Sequence, residues 1–87
     1  MIVLLPVEDG VHAVKGDRLV AVELDKTQLR LRVDFGTYEC TYVLEGDEHS
    51  VGQAWREFLE NYDQRYYLLD LTRLKRAPAP EAVATGD

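Results

Sequence analysis

Helical periodicity is concentrated in one stretch of this chain, Ser50 to Tyr62, and the residues before it read mostly as short strands. Val51, Ala54, Trp55, Phe58, Leu59 and Tyr62 fall at i, i+3, i+4, i+7, i+8 and i+11, which places them on one face of a 3.6-residue period. Ser50, with Gln53 three residues on, has the form of a capping box and predicts the helix start. A helix with a single apolar face has to lie on something, and the strands supply it.

Met1 to Val7 is a short apolar run that predicts a buried strand, with Pro6 near its end marking an edge. Turns at Glu8-Asp9-Gly10 and Lys15-Gly16-Asp17 flank a second strand at Val11 to Val14. Arg18 to Leu24 is predicted to put Val20, Val22 and Leu24 on one face and Leu19, Ala21 and Glu23 on the other. Thr27 to Phe35 alternates cleanly, with Leu29, Leu31, Val33 and Phe35 against Gln28, Arg30, Arg32 and Asp34. Gly36 marks a tight turn, and Thr37 to Leu44 then alternates Tyr38, Cys40, Tyr42 and Leu44 against Thr37, Glu39, Thr41 and Val43. Arg65 to Leu74 has high β-propensity and reads as the last strand. The expected fold is α+β: a mostly antiparallel, meandering sheet of five or six strands, covered on one face by the helix near 50–62. Trp55, Phe58 and Leu59 are expected to plug into Leu29, Leu31, Val33, Tyr42 and Leu69. Residues 1–76 form one domain in this reading, and the Pro- and Ala-rich residues 77–87 a disordered tail.

The chain has 87 residues, enough for one small core and little room for a deep catalytic cleft. A lone cysteine, Cys40, permits no internal disulfide, and the run MIVLLPV has neither the basic start of a signal peptide nor the length of a membrane span. A cytoplasmic setting is expected. The net charge is −6, unevenly spread. Residues 1–64 carry six Lys/Arg against thirteen Asp/Glu, a net of −7, whereas residues 65–76 carry four against one, a net of +3. The body repels nucleic acid on average, and only the last strand offers it a basic strip.

Candidate chemistry is sparse. His12 and His49 lack the clustered ligands of a zinc site, and Cys40 sits between Glu39 and Thr41, which would not activate a thiol. Arg30 and Arg32 are expected opposite Glu23 and Glu39, where cross-strand pairing accounts for them. Glu45 to Glu48 lacks calcium-loop spacing and precedes a helix N-terminus, where negative charge is favourable. Glycine-rich phosphate loops, nucleophile elbows and metalloprotease motifs do not occur. No enzyme activity, cofactor, metal, membrane or small-molecule ligand is expected. Five tyrosines exceed what so small a core hides, and tyrosine is enriched at interfaces. The leading expectation is therefore a non-catalytic binding or regulatory module. It would act through contacts to another protein or to itself, with Tyr38, Tyr42, Tyr66 and Tyr67 as contact residues. The alternatives are nucleic-acid binding through Arg65, Arg73, Lys75 and Arg76, and an acidic decoy that occupies another protein's nucleic-acid site.

The order of elements resembles the LytTR type of bacterial DNA-binding domain over about half the chain. LPVEDGVHAV at Leu4 to Val14 resembles that family's opening. AWREFLE at Ala54 to Glu60 stands where its helix would, and Tyr67-Leu68-Leu69-Asp70-Leu71 followed by Leu74 is similar to its closing strand. Of the family's His-Arg-Ser before that strand only Arg65 is kept, and Asp70 stands where the family has Asn. The resemblance implies a DNA-binding transcription regulator.

Overall fold

The structure, a computed structural model, describes residues 1–77. Among these, seven strands and one α-helix follow as β1 (Ile2–Val7), β2 (Gly10–Lys15), β3 (Leu19–Asp25), β4 (Gln28–Asp34), β5 (Glu39–Glu45), α1 (Glu48–Asn61), β6 (Leu68–Asp70) and β7 (Lys75–Arg76). The fold is α+β, but the strands divide into two sheets rather than one, ordered β2-β1-β6 and β3-β4-β5-β7.

The β3-β4-β5 meander follows the alternation. Leu29, Leu31 and Val33 on β4 and Tyr42 and Leu44 on β5 are buried on its inner face. Its outer face is charged: Glu23 lies opposite Arg30, and Arg32 Nε stands 3.4 Å from Glu39 Oε1. Along β3 the expected faces change, because a bulge falls between Leu19 and Ala21. The extra residue moves Leu19 to the inner side opposite Val33 and leaves Val20 exposed. Two turns use left-handed backbone: Lys26 (φ 47°) joins β3 to β4, and Gly36 (φ 96°), whose amide donates to Asp34 Oδ1, joins β4 to β5.

In the first sheet β1 is central, not an edge. It pairs antiparallel with β2 and parallel with β6. Proline is tolerated because β6 runs only beside Ile2 to Leu4, so Pro6 lies beyond it.

The segment expected as one closing strand is broken into two. The Thr72 amide and hydroxyl both donate to Asp70 Oδ1, and the Leu74 amide donates to the Leu71 carbonyl, which turns the chain between β6 and β7. Consequently β6 joins the first sheet, β7 pairs antiparallel with β5 in the second, and Leu71 and Leu74 are buried between them. Ala77 also differs from expectation: it is buried and its amide donates to the Val43 carbonyl, so the ordered chain reaches one residue beyond Arg76. The remainder of the expected tail, 78–87, lies outside the described residues.

The helix begins earlier than the capping box suggests. Asp47 is the N-cap, its Oδ1 accepting from the Ser50 amide at 2.7 Å. Val51 and Ala54 are the fully buried helix residues, while Trp55 and Phe58 are half-buried against the core and Leu59 is exposed. The expected Trp55-Phe58-Leu59 plug is therefore replaced by Val51 and Ala54 as the buried helix residues. Gly46, just before it, has no room for a side chain: a Cβ there would lie 2.8 Å from Leu74 Cδ2. No described helix is long and apolar enough to cross a membrane.

Candidate docking face

Direct pairing across β2, β1 and β6 sorts their residues into two faces. Val3, Leu5, Val14 and Leu69 point inward and are buried. Their neighbours point outward in three rows: Lys15, Ile2 and Leu68; then Ala13, Leu4 and Asp70; then Val11 and Pro6. Six of these eight outward positions are apolar; Ile2, Val11, Ala13 and Leu68 are exposed, and Leu4 and Pro6 are half-buried. Val11 is 57% exposed and Leu68 54%. The contrast with the other sheet is sharp, since that sheet turns Glu23, Arg30, Arg32, Glu39 and Thr41 to solvent. An antiparallel sheet with one wet face carries polar residues there; a contiguous apolar sheet face is a feature of interaction sites.

The four tyrosines proposed as contacts divide. Tyr66 (91% exposed) and Tyr38 (61%) stand open to solvent, and Tyr67 is half-buried against the core. Tyr42 is a correction: it is 4% exposed and belongs to the core. Its ring points inward from β5, and its hydroxyl shares a 2.8 Å hydrogen bond with His12 Nδ1 from the other sheet. Burial pushes that hydroxyl above the ordinary tyrosine range, Cys40 adds to the rise, and the Arg76 guanidinium, 5.2 Å from the ring centroid, opposes it. His12 stacks on Phe35 and Phe35 on Tyr38, so the rim between the sheets is closed by an aromatic row. Tyr66, two residues before β6, lies beneath Arg65, whose guanidinium carbon is 5.8 Å from its ring centroid.

The four basic residues are not brought together. The Arg65 carbonyl accepts from the N-terminal amine at the Met1 end of β1, while Lys75 and Arg76 line a cleft with Pro6, Val7 and Glu8 at its other end. The length of β1 keeps these ends about 17 Å apart. Arg73 is paired with Glu57 at 3.2 Å, and Lys75 lies opposite Glu45. The cleft, of about 630 Å³, is bounded by Ala77, where the described chain ends.

Compared with known proteins, the chain matches no protein-family model, no curated protein and no solved structure. The resemblance to LytTR domains accordingly rests on the quoted segments alone.

The apolar face was missed by sequence reasoning, although its signal was present. Met1 to Val7 is apolar without alternation, which is the pattern of a strand apolar on both faces. Only the pairing with Val11, Ala13 and Leu68 reveals that the second face is continuous across three strands.

Proposed function

We propose that this chain is a small non-catalytic module that acts through protein–protein contact, with the outer face of the β2-β1-β6 sheet as its contact surface. The observation that carries this reading is the uncovered apolar face of Ile2, Leu4, Pro6, Val11, Ala13 and Leu68. Burying apolar area is the dominant favourable term in most association, at about 25 cal/mol per Å². Tyr66, exposed two residues before β6, adds a residue type enriched at interfaces. A role as a DNA-binding regulator draws on the LytTR resemblance, but the separation of Arg65 from Lys75 and Arg76 and the pairing of Arg73 with Glu57 lend it no support.

The test is capture from the native host, with the parent chain and the single variants Val11→Lys and Leu68→Lys run side by side. Both positions are exposed, so both variants should melt with the parent. A protein retained by the parent and lost by both variants supports the reading. A partner retained equally by all three refutes it.

A further inference from the structure

We propose that the occupant of this face is a second copy of the same chain, with two β2-β1-β6 sheets packed face to face about a twofold axis parallel to β1. The proposal rests on the reading of this face as a contact surface and adds the identity of the partner.

The argument is charge placement. The face carries two charges, Lys15 at its β2 edge and Asp70 at its β6 edge. A twofold axis along β1 lays the β2 edge of one copy over the β6 edge of the other. Lys15 then stands over the partner's Leu68, with the partner's Asp70 about 7 Å further along the strand, two residues at the usual rise. Facing sheets lie about 10 Å apart, so about 12 Å separates the two backbones, and the lysine stem and the Asp70 carboxylate meet only when each leans toward the other. The contact forms twice by symmetry, as an isologous interface requires. An in-plane axis across the strands instead lays each edge on itself and sets Asp70 against Asp70. The apolar strip Ile2, Leu4 and Pro6 lies on the favoured axis and packs against its own copy.

The size of the face sets the strength. Three strands about 4.8 Å apart and about five residue rises long make a footprint of about 14 by 17 Å. That is far below the roughly 800 Å² per partner of a standard interface. The dimer should therefore be reversible and concentration-dependent rather than permanent.

Sedimentation velocity on the full chain, from about 10 μM to about 1 mM, reads it out. The expected result is a shift from monomer toward dimer across that range. Lys15→Glu should weaken association by at least about tenfold, by placing Glu against the partner's Asp70. Leu68→Lys should do the same, by placing Lys against Lys15. An equimolar mixture of the two variants should associate more strongly than either alone, because Glu at 15 then faces Lys at 68. Circular dichroism melts of each variant establish that the fold is intact, and any variant that melts low is replaced by Val11→Lys, read for loss of association only. A chain monomeric throughout the range refutes the second copy. The face reading itself then stands or falls separately on whether these same variants abolish capture of a different protein. A dimer indifferent to all three substitutions refutes the proposed packing and points to the strand edges.

Discussion

Leu68 and Leu69 are adjacent leucines with opposite fates, and they offer the sharpest test of the fold. Leu69 is 1% exposed and sits opposite Val3 in the core; Leu68 is turned outward beside Ile2. Truncating a fully buried leucine removes its transfer free energy and leaves a cavity, together about 2–5 kcal/mol. The surroundings of Leu69 leave little room to relax. It lies on a three-residue strand held by hydrogen bonds from the Ile2 amide to the Tyr67 carbonyl and from the Leu71 amide to the Leu4 carbonyl. A chain of this length is stable by about 4–13 kcal/mol, so Leu69→Ala should remove a large share. At about 4–8 °C per kcal/mol, a loss near 3 kcal/mol lowers the melting temperature by about 10–25 °C. Leu68→Lys should leave it within about 3 °C. Circular dichroism melts, with urea titrations to establish a common slope, provide the measurement. If Leu69→Ala melts with the parent while Leu68→Lys falls steeply, the faces of β6 are assigned the wrong way round, and the docking face goes with them.

Other outcomes follow from the same contacts. Trp55→Ala should cost about 1–3 kcal/mol, less than a fully buried aromatic loses, because its ring is only half enclosed; a larger loss in urea titration would show that the helix is seated on Trp55. Gly46→Ala should destabilise by about 1–3 kcal/mol, since its Cβ meets the buried Leu74 Cδ2 at 2.8 Å, and an unchanged melting temperature would show that the loop can shift. Hydrogen bonds from Ser50 hold the Asp47 carboxyl below the ordinary carboxylate range, and those from Thr72 do the same for Asp70. A folded-state pKa below the unfolded one contributes stability above the unfolded value, near 4, that is lost as pH falls through that region. Asp47→Asn and Asp70→Asn should thus flatten the acid limb of stability against pH and leave its slope near neutrality unchanged; an unaltered acid limb would remove the role assigned to both caps. Fluorescence anisotropy with duplex DNA should show weak binding that disappears near 150 mM salt, because few phosphates can be neutralised at once and each contributes about 0.9 to the salt slope; submicromolar, sequence-dependent binding at that salt would restore the DNA-binding reading.

Local patterns were legible where one physical effect dominated. The alternation in β4 and β5 reports burial on one side only, and Leu29, Leu31, Val33 and Leu44 lie where it places them. The helix was legible for the same reason, and its start was missed by three residues because Asp47 and Ser50 can both cap, so that only the backbone decides between them. The features that went unread depend on neighbours distant in sequence. The bulge at Leu19 and Ala21 reverses a face without changing composition, and the break at Asp70 depends on a side chain folding back to Thr72 inside a run of good strand formers. Division into two sheets is of this kind too: β6 and β7 are close in sequence and join different sheets, β6 beside Ile2 to Leu4 and β7 beside Leu44 and Glu45.

The candidate site illustrates how a global constraint can expose what local patterns hide. A strand apolar on both faces needs a layer on each side. Among the described residues the chain has two sheets and one helix, and all three share a single core that includes Val3, Leu31 and Val51. That core consumes one face of each sheet and the buried side of α1. Among the described residues no further layer then remains for the second face of β1, which carries Ile2 and Leu4. Tyrosine is enriched at interfaces as a residue type, which says nothing about where a given tyrosine lies. Tyr42 illustrates this, since its hydroxyl is satisfied by His12 across the core. The leucines and valines of β1, β2 and β6 carry the stronger argument because they form one surface, and a surface is what a partner recognises.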